Sequence, residues 1–176
     1  MTARQTEFHR KVAADIVLHG QSVVGVFGEP PFSYTIGNHG VGLPELLVLG
    51  IDPGDACWVL NRLGAMQREL GKPLIGDVSL GEGAAQPLRL RAVADERRVK
   101  DEYTCQVYVH YQTEDYAVTQ VLIPDKEGRF PGDAGCAEPF GRVPIFGQAA
   151  SLPGSASVLS PQNTAWNARE VRRTSA

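Results

Sequence analysis

A chain of 176 residues and 19.0 kDa is expected to fold as one compact domain. Its 43% apolar and 21% charged content is that of an ordinary soluble chain, and no run approaches the ~18 consecutive apolar residues of a membrane span. The net charge of −3 argues against nucleic acid as a partner, because a phosphate-binding surface shows a clustered basic face.

Cys57, Cys105 and Cys136 are odd in number and widely spaced, which argues against a disulfide framework and for a reducing, cytoplasmic setting. Residues 1–20 scatter charges through the stretch and lack the apolar core of a secretory signal. No CxxC or HxxxH pair occurs, so the spacing assigns no metal ligands.

In chain order, Phe8, Val12, Ile16 and Val17 form one helical stripe within Thr6–Leu18, with Glu7, Arg10, Lys11 and Asp15 elsewhere. Gly20 suits the helix C-terminus. Ser22–Phe27 reads as a strand, and Pro30 and Pro31 interrupt it. Phe32, Tyr34 and Ile36 then alternate with Ser33 and Thr35, the period of a half-buried strand. Glu45–Ile51 is apolar on both faces, as an interior strand would be. A helix follows from about Gly54 to Leu70, capped by Asp52 or Asp55 and closed by Gly71 and Pro73. Ile75–Gln86 reads as a loop or short strand, and Pro87–Val93 as a strand with one basic face carrying Arg89 and Arg91. In Ala94–Glu102, Arg97, Arg98 and Lys100 are interleaved with acids, which fits a solvated loop or strand edge. Thr104–Thr113 and Tyr116–Pro124 are β-rich and are expected to pair as a hairpin. Turn and coil follow, anchored by Phe130, Phe140, Ile145 and Phe146.

Helices do not alternate regularly with strands. The expected fold is therefore α+β over residues 1–150: an antiparallel sheet, open or closed into a barrel, with an N-terminal helix and one long helix after the third strand. Residues 151–176 form a small, polar extension that ends basic and is expected to be partly loose or docked on a partner. An open edge beside an apolar strand also makes a homodimer a reasonable expectation.

Candidate chemistry concentrates at strand ends. His39 lies in a glycine-studded turn near Glu45 and Tyr34, where it can act as acid or base, or simply be solvated. The glycines are no phosphate cradle, because the loop does not run into a helix. Asp125 follows a strand and fits either catalysis or ordinary turn chemistry. His110 shares its strand parity with Tyr108 and Gln106, a face that lines a cavity or meets water. Ser33 and Thr35 alternate on one strand face and Arg89 and Arg91 on another; if those faces meet, they make an anion site.

Three segments together carry a family resemblance: "PPFSYTIGNHG" with "LPELLVLGID", and "TQVLIPDKEGRFPGD" with a later "FGQ". The chain resembles the bacterial family of domain of unknown function 4262 over roughly Leu18 to Gln148. The matching positions are Tyr34, Thr35, Gly37, Pro44 and Glu45, then Gln120, Pro124, Asp125, Gly128, Phe130, Pro131 and Gln148. Two positions depart from the pattern: Asn38 stands where members usually show leucine, and Gly132 where tryptophan is common. The resemblance implies no established activity. The strand order also looks like that of the split barrels that bind flavin mononucleotide, a likeness of fold only.

Three functions follow as expectations. One is a barrel that binds a small molecule or acts as an oxidoreductase, its flavin or other anionic ligand held by Ser33, Tyr34, Thr35, Arg89, Arg91, His110 and Gln120. The second is a cofactor-free or metal-assisted enzyme using His39, Glu45 and Asp125. The third is a module without chemistry that meets a protein partner.

Overall fold

The structure, a computed structural model, describes residues 3–81 and 86–147; the extension at 151–176 and Gln148 lie outside the described residues. Helix α1 (Ala3–His19) leads into strands β1 (Ser22–Val26), β2 (Phe32–Ile36) and β3 (Glu45–Leu49). Helix α2 (Pro53–Leu70), strands β4 (Gly76–Val78) and β5 (Leu88–Ala92), helices α3 (Glu96–Glu102) and α4 (Cys105–Tyr111), and strand β6 (Val118–Leu122) follow. The sheet order is β1-β2-β3-β6-β5-β4.

The α+β class is observed, with an open, mixed sheet in place of a purely antiparallel one. Strands β1 and β4 are its edges, and β3 and β6 pair in parallel at its centre. Both central strands are buried throughout, as parallel strands covered on two faces must be. The hairpin expected at residues 104–124 does not form. Its first half is helix α4, and β6 reaches β3 only after a crossover through α3 and α4.

Two apolar clusters flank the sheet. On one face α2 buries Ala56, Leu60 and Leu63 against Leu46, Val48, Leu90 and Val121. Asp52 caps α2 by accepting from the Gly54 amide at 2.8 Å, and Gly71 ends it in the left-handed conformation. On the other face, Val12 of α1, Val99 of α3 and Val107 of α4 pack with Tyr34, Ile36, Leu47, Leu49 and Phe146. Helix α3 carries Glu96–Lys100, Arg97–Asp101 and Arg98–Glu102 pairs at i,i+4, each a small stabilising contact along a helix.

Strand parity decides one expectation. Ser33 pairs with Val48, Val48 with Val121 and Val121 with Leu90, so Ser33 and Thr35 point to the α2 side. Tyr34 aligns with Leu47, Gln120 and Arg91 on the opposite side. Paired residues share a face and neighbours in sequence alternate. Ser33 and Thr35 therefore cannot converge with Arg89 and Arg91 on an anion.

Gly64 tests the closeness of α2 to the sheet. A Cβ there would overlap the Gln21 side-chain amide, which four hydrogen bonds fix in place. Alanine gains about 1 kcal/mol of helix propensity over glycine, but overpacking costs about 1–3 kcal/mol and the Gln21 bonds are lost as well. Gly64→Ala is expected to lower the denaturant midpoint; a raised midpoint would show that this contact is not tight.

Candidate functional site

The turn between β2 and β3 closes around a buried carboxylate. Glu45 opens β3 and is 0% exposed. Its Oε2 accepts from the Thr35 hydroxyl at 2.6 Å, and its Oε1 accepts from the Gly37 and His39 amides, each at 3.0 Å. The Asn38 amide adds a longer contact at 3.4 Å. Every partner donates, so Glu45 serves as an acceptor only, which is the role of the ionised form. Burial raises its pKa above the ordinary value, while the His39 amide, the Thr35 hydroxyl and the Gly37 amide pull it back down. Gly37 is required where it stands. Its φ is +139°, and a Cβ would lie 2.7 Å from the Gly20 carbonyl oxygen and the Gln21 Cα.

Asn38 carries the charge outward. Its Nδ2 donates to Gln21 Oε1 and Thr35 Oγ1, each at 3.0 Å, and its Oδ1 accepts from Arg68 Nη1 at 2.8 Å. Arg68 also donates to Gln21 Oε1 at 2.7 Å and to the His19 carbonyl at 3.2 Å. Gln21 in turn donates to the Leu60 carbonyl and to Asn61 on α2. One neutral amide thus bridges the Glu45 carboxylate and the Arg68 guanidinium. Burial lowers the Arg68 pKa, and the Glu45 charge opposes that. Residue 38 is the junction of this network.

His39 is half-buried. Its ring meets Tyr111 edge-on at 4.8 Å between centroids, with Tyr116 at 6.3 Å. Burial pushes the Tyr111 phenol up to about 12, reinforced by the Glu45 charge, and its oxygen accepts from the Gly40 amide at 3.3 Å.

Asp125 stands elsewhere. Glu45 lies opposite Val118, so the full length of β6, about 13 Å at the usual rise of a strand, separates the two before the chain reaches Asp125. Groups more than about 10 Å apart cannot share one reacting centre, given the ~3 Å reach of catalytic hydrogen bonds. His39, Glu45 and Asp125 therefore form no common pocket. Asp125 organises its own turn: its carboxylate accepts from the amides of Glu127, Arg129 and Ala137 and from Arg129 Nε, at 2.8–3.0 Å. Burial pushes its pKa up, but the Ala137 and Arg129 amides and the Arg129 guanidinium outweigh that and hold it down to about 2.

The remaining candidates scatter. Ser33 is buried, and its hydroxyl has no hydrogen-bond partner among the described residues. Arg89 pairs with Asp77 at 2.8 Å and lies over the Phe130 ring, and Arg91 packs beneath Gly147. Gln120 donates to the Pro144 carbonyl at 2.7 Å and accepts from the Phe146 amide at 2.8 Å, clamping the segment after the turn. His110 is on helix α4, not a strand, so its parity with Gln106 and Tyr108 carries no meaning. Burial and the nearby His9 lower its pKa.

Of the candidate ligand residues, Tyr34 lines a groove. This groove, of about 490 Å³, lies between α1, the β1–β2 hairpin and the α3–α4 corner. Phe8, Val24, Val26, Phe32, Tyr34 and Tyr103 form its apolar walls, and Gln5, His9, Glu102, Cys105 and Gln106 add polar groups and a thiol. Phe32 and Tyr103 meet edge to face at 5.1 Å. Burial holds the Tyr34 phenol well above its ordinary range. Sequence reasoning missed this groove because its residues are those of a normal core. A second hollow, along Glu7, Phe8, Arg10, Lys11 and Ala14, is bounded by one helix only. Among the described residues no cluster of three or more His, Cys, Asp or Glu could hold a metal ion, and no described helix is long and apolar enough to cross a membrane.

Two outcomes follow. Asn38→Leu removes the amide that accepts from Arg68 and donates to Gln21, Thr35 and Glu45, so that each loses one buried partner; unfolding by denaturant is expected to show a loss of about 1–3 kcal/mol, and a gain would contradict the network. Asp125 has a depressed folded pKa, so its contribution is present above its ordinary value of ~3.9 and is lost as pH falls through about 2. Thermal melting followed across that window should drop with acid in the wild type and flatten in Asp125→Asn; equal slopes would remove Asp125 from the account.

No curated protein and no solved structure matches the chain. The family model described as "Domain of unknown function (DUF4262)" matches residues 15–137, a span that holds both the Glu45 network and most of the Asp125 turn. The chain belongs to that family.

Proposed function

We propose that the protein is a binding domain for a small organic molecule, held in the groove between α1, the β1–β2 hairpin and the α3–α4 corner. The observation that carries this reading is the groove itself. Its volume of about 490 Å³ is within the ~300–1,000 Å³ of ligand sites, and such sites combine apolar and aromatic walls with a few polar groups. The aromatic walls of Phe8, Phe32, Tyr34 and Tyr103 suit a flat, largely uncharged ring system. Gln5, His9 and Gln106 at the same groove suit its polar substituents. Arg89 and Arg91 do not line the groove, so an anionic group finds no arginine clamp there. Glu45 takes no direct part, because its carboxylate is enclosed and its acceptor sites are filled by the protein.

Cys105 lines the groove and is exposed, so it reports on occupancy. In a Cys57→Ser background, anilinonaphthalene sulfonate is expected to bind saturably, one per chain, and to slow alkylation of Cys105 several-fold. Cys105→Trp should weaken that binding at least tenfold with the melting temperature unchanged. Dye binding that never saturates, or that is indifferent to Cys105→Trp, would sink the proposal. Flavin mononucleotide added under the same conditions tests the flavin form: unquenched flavin fluorescence with unchanged Cys105 alkylation excludes it.

A further inference from the structure

The two edges of the sheet are unlike. Strand β4 has three residues, and Asp77 within it is paired with Arg89; a short, charged edge resists pairing with another chain. Strand β1 has five residues, and the stretch Gly20–Gly28 contains no charge and no proline. On its inner side it pairs with β2; on its outer side no described strand follows. Such an edge is a template for a further strand.

The most exposed large apolar side chains stand at the two ends of this strand. Phe27, 83% exposed, immediately follows it, and Val17 and Leu18, 84% and 73% exposed, are in the last turn of α1. That turn is fixed at the start of β1 by the Ser22 hydroxyl, which donates to Asp15 at 2.8 Å. The strand between them spans about 17 Å, so Phe27 cannot cover Val17 or Leu18 in its own chain.

We propose that β1 is a homodimer interface, in which β1 strands of two copies pair antiparallel about a two-fold axis near Val24. A two-fold contact uses the same patch twice and must be self-complementary. Antiparallel pairing meets that condition: the Phe27 end of one strand lies beside the α1 end of the other, on both sides of the axis. The uncharged stretch brings no like charges together. Two strand edges and six exposed apolar side chains, a phenylalanine alone burying about 150–250 Å², supply area on the order of the ~1,000 Å² a specific interface needs. The product is a continuous twelve-stranded sheet. The interface shares strand β1 with the groove, whose wall includes Val24 and Val26, but it uses the strand's outer edge and needs no ligand.

Sedimentation equilibrium of the full chain tests it, together with hydrogen exchange at residues 22–26 over a range of protein concentrations. The expected result is a mass of twice 19.0 kDa at tens of micromolar, β1 amides that lose protection on dilution, and a monomer of unchanged circular dichroism for Leu18→Lys/Phe27→Lys. A wild-type monomer at all concentrations overturns the proposal. So does a dimer that survives both lysines, or one whose β1 exchange is independent of concentration. If the lysine variant fails to fold, the wild-type exchange result decides alone.

Discussion

A single buried carboxylate sets the geometry at one end of this sheet. Removing Glu45 from water costs several kcal/mol unless the charge is met by hydrogen bonds. The chain meets it with the Thr35 hydroxyl and the amides of Gly37 and His39, which forces the β2–β3 turn to curl over the start of β3. The curl requires a glycine at 37, where a side chain would strike the α1–β1 connection. Asn38 then reaches Gln21 and Arg68, so that α1, β1, β2, β3 and α2 are all tied to one charge. In this view Thr35, Gly37 and Glu45 are held together by structural chemistry. Catalysis is not needed to explain them.

The segment from β6 through the Asp125 turn is explained the same way. Asp125 satisfies three main-chain amides and one guanidinium in its own turn, and Gln120 clamps the following segment across Tyr34's face of the sheet. The two segments serve opposite ends of the parallel β3–β6 pair. They are partners in building the sheet's centre and its covering, and no reaction centre joins them. The groove at α1 and the β1–β2 hairpin borrows a wall from this framework, since Tyr34 lies on β2 just before the β2–β3 turn and lines the groove.

Much of the fold was legible in the sequence where periodicity and caps agree. The α2 helix shows its Asp52 cap, its Leu60–Leu63 stripe and its Gly71 end in the letters alone, and the alternation in Phe32–Ile36 and Leu88–Ala92 marks half-buried strands. The α4 helix was hidden because Val107, Tyr108, Val109 and Tyr111 are residues that strands favour; packing of Val107 against the sheet overrides that preference. The α3 helix did leave a signal in its three i,i+4 charge pairs. The parallel pairing of β3 with β6 was not legible, since sequence order suggests local hairpins. The site was harder still. A glutamate beside a histidine in a glycine turn reads as chemistry, and only burial shows that the carboxylate is enclosed and the histidine contributes its main-chain amide.

The central claim is that Thr35 and Glu45 act together as one structural unit. A double-mutant cycle on unfolding free energy, with Thr35→Val, Glu45→Gln and the double variant, measures that directly. Coupling of about 1–3 kcal/mol is predicted, because contacting groups in one buried network share their energy. Additivity within about 0.5 kcal/mol, the behaviour of independent sites, would contradict the account.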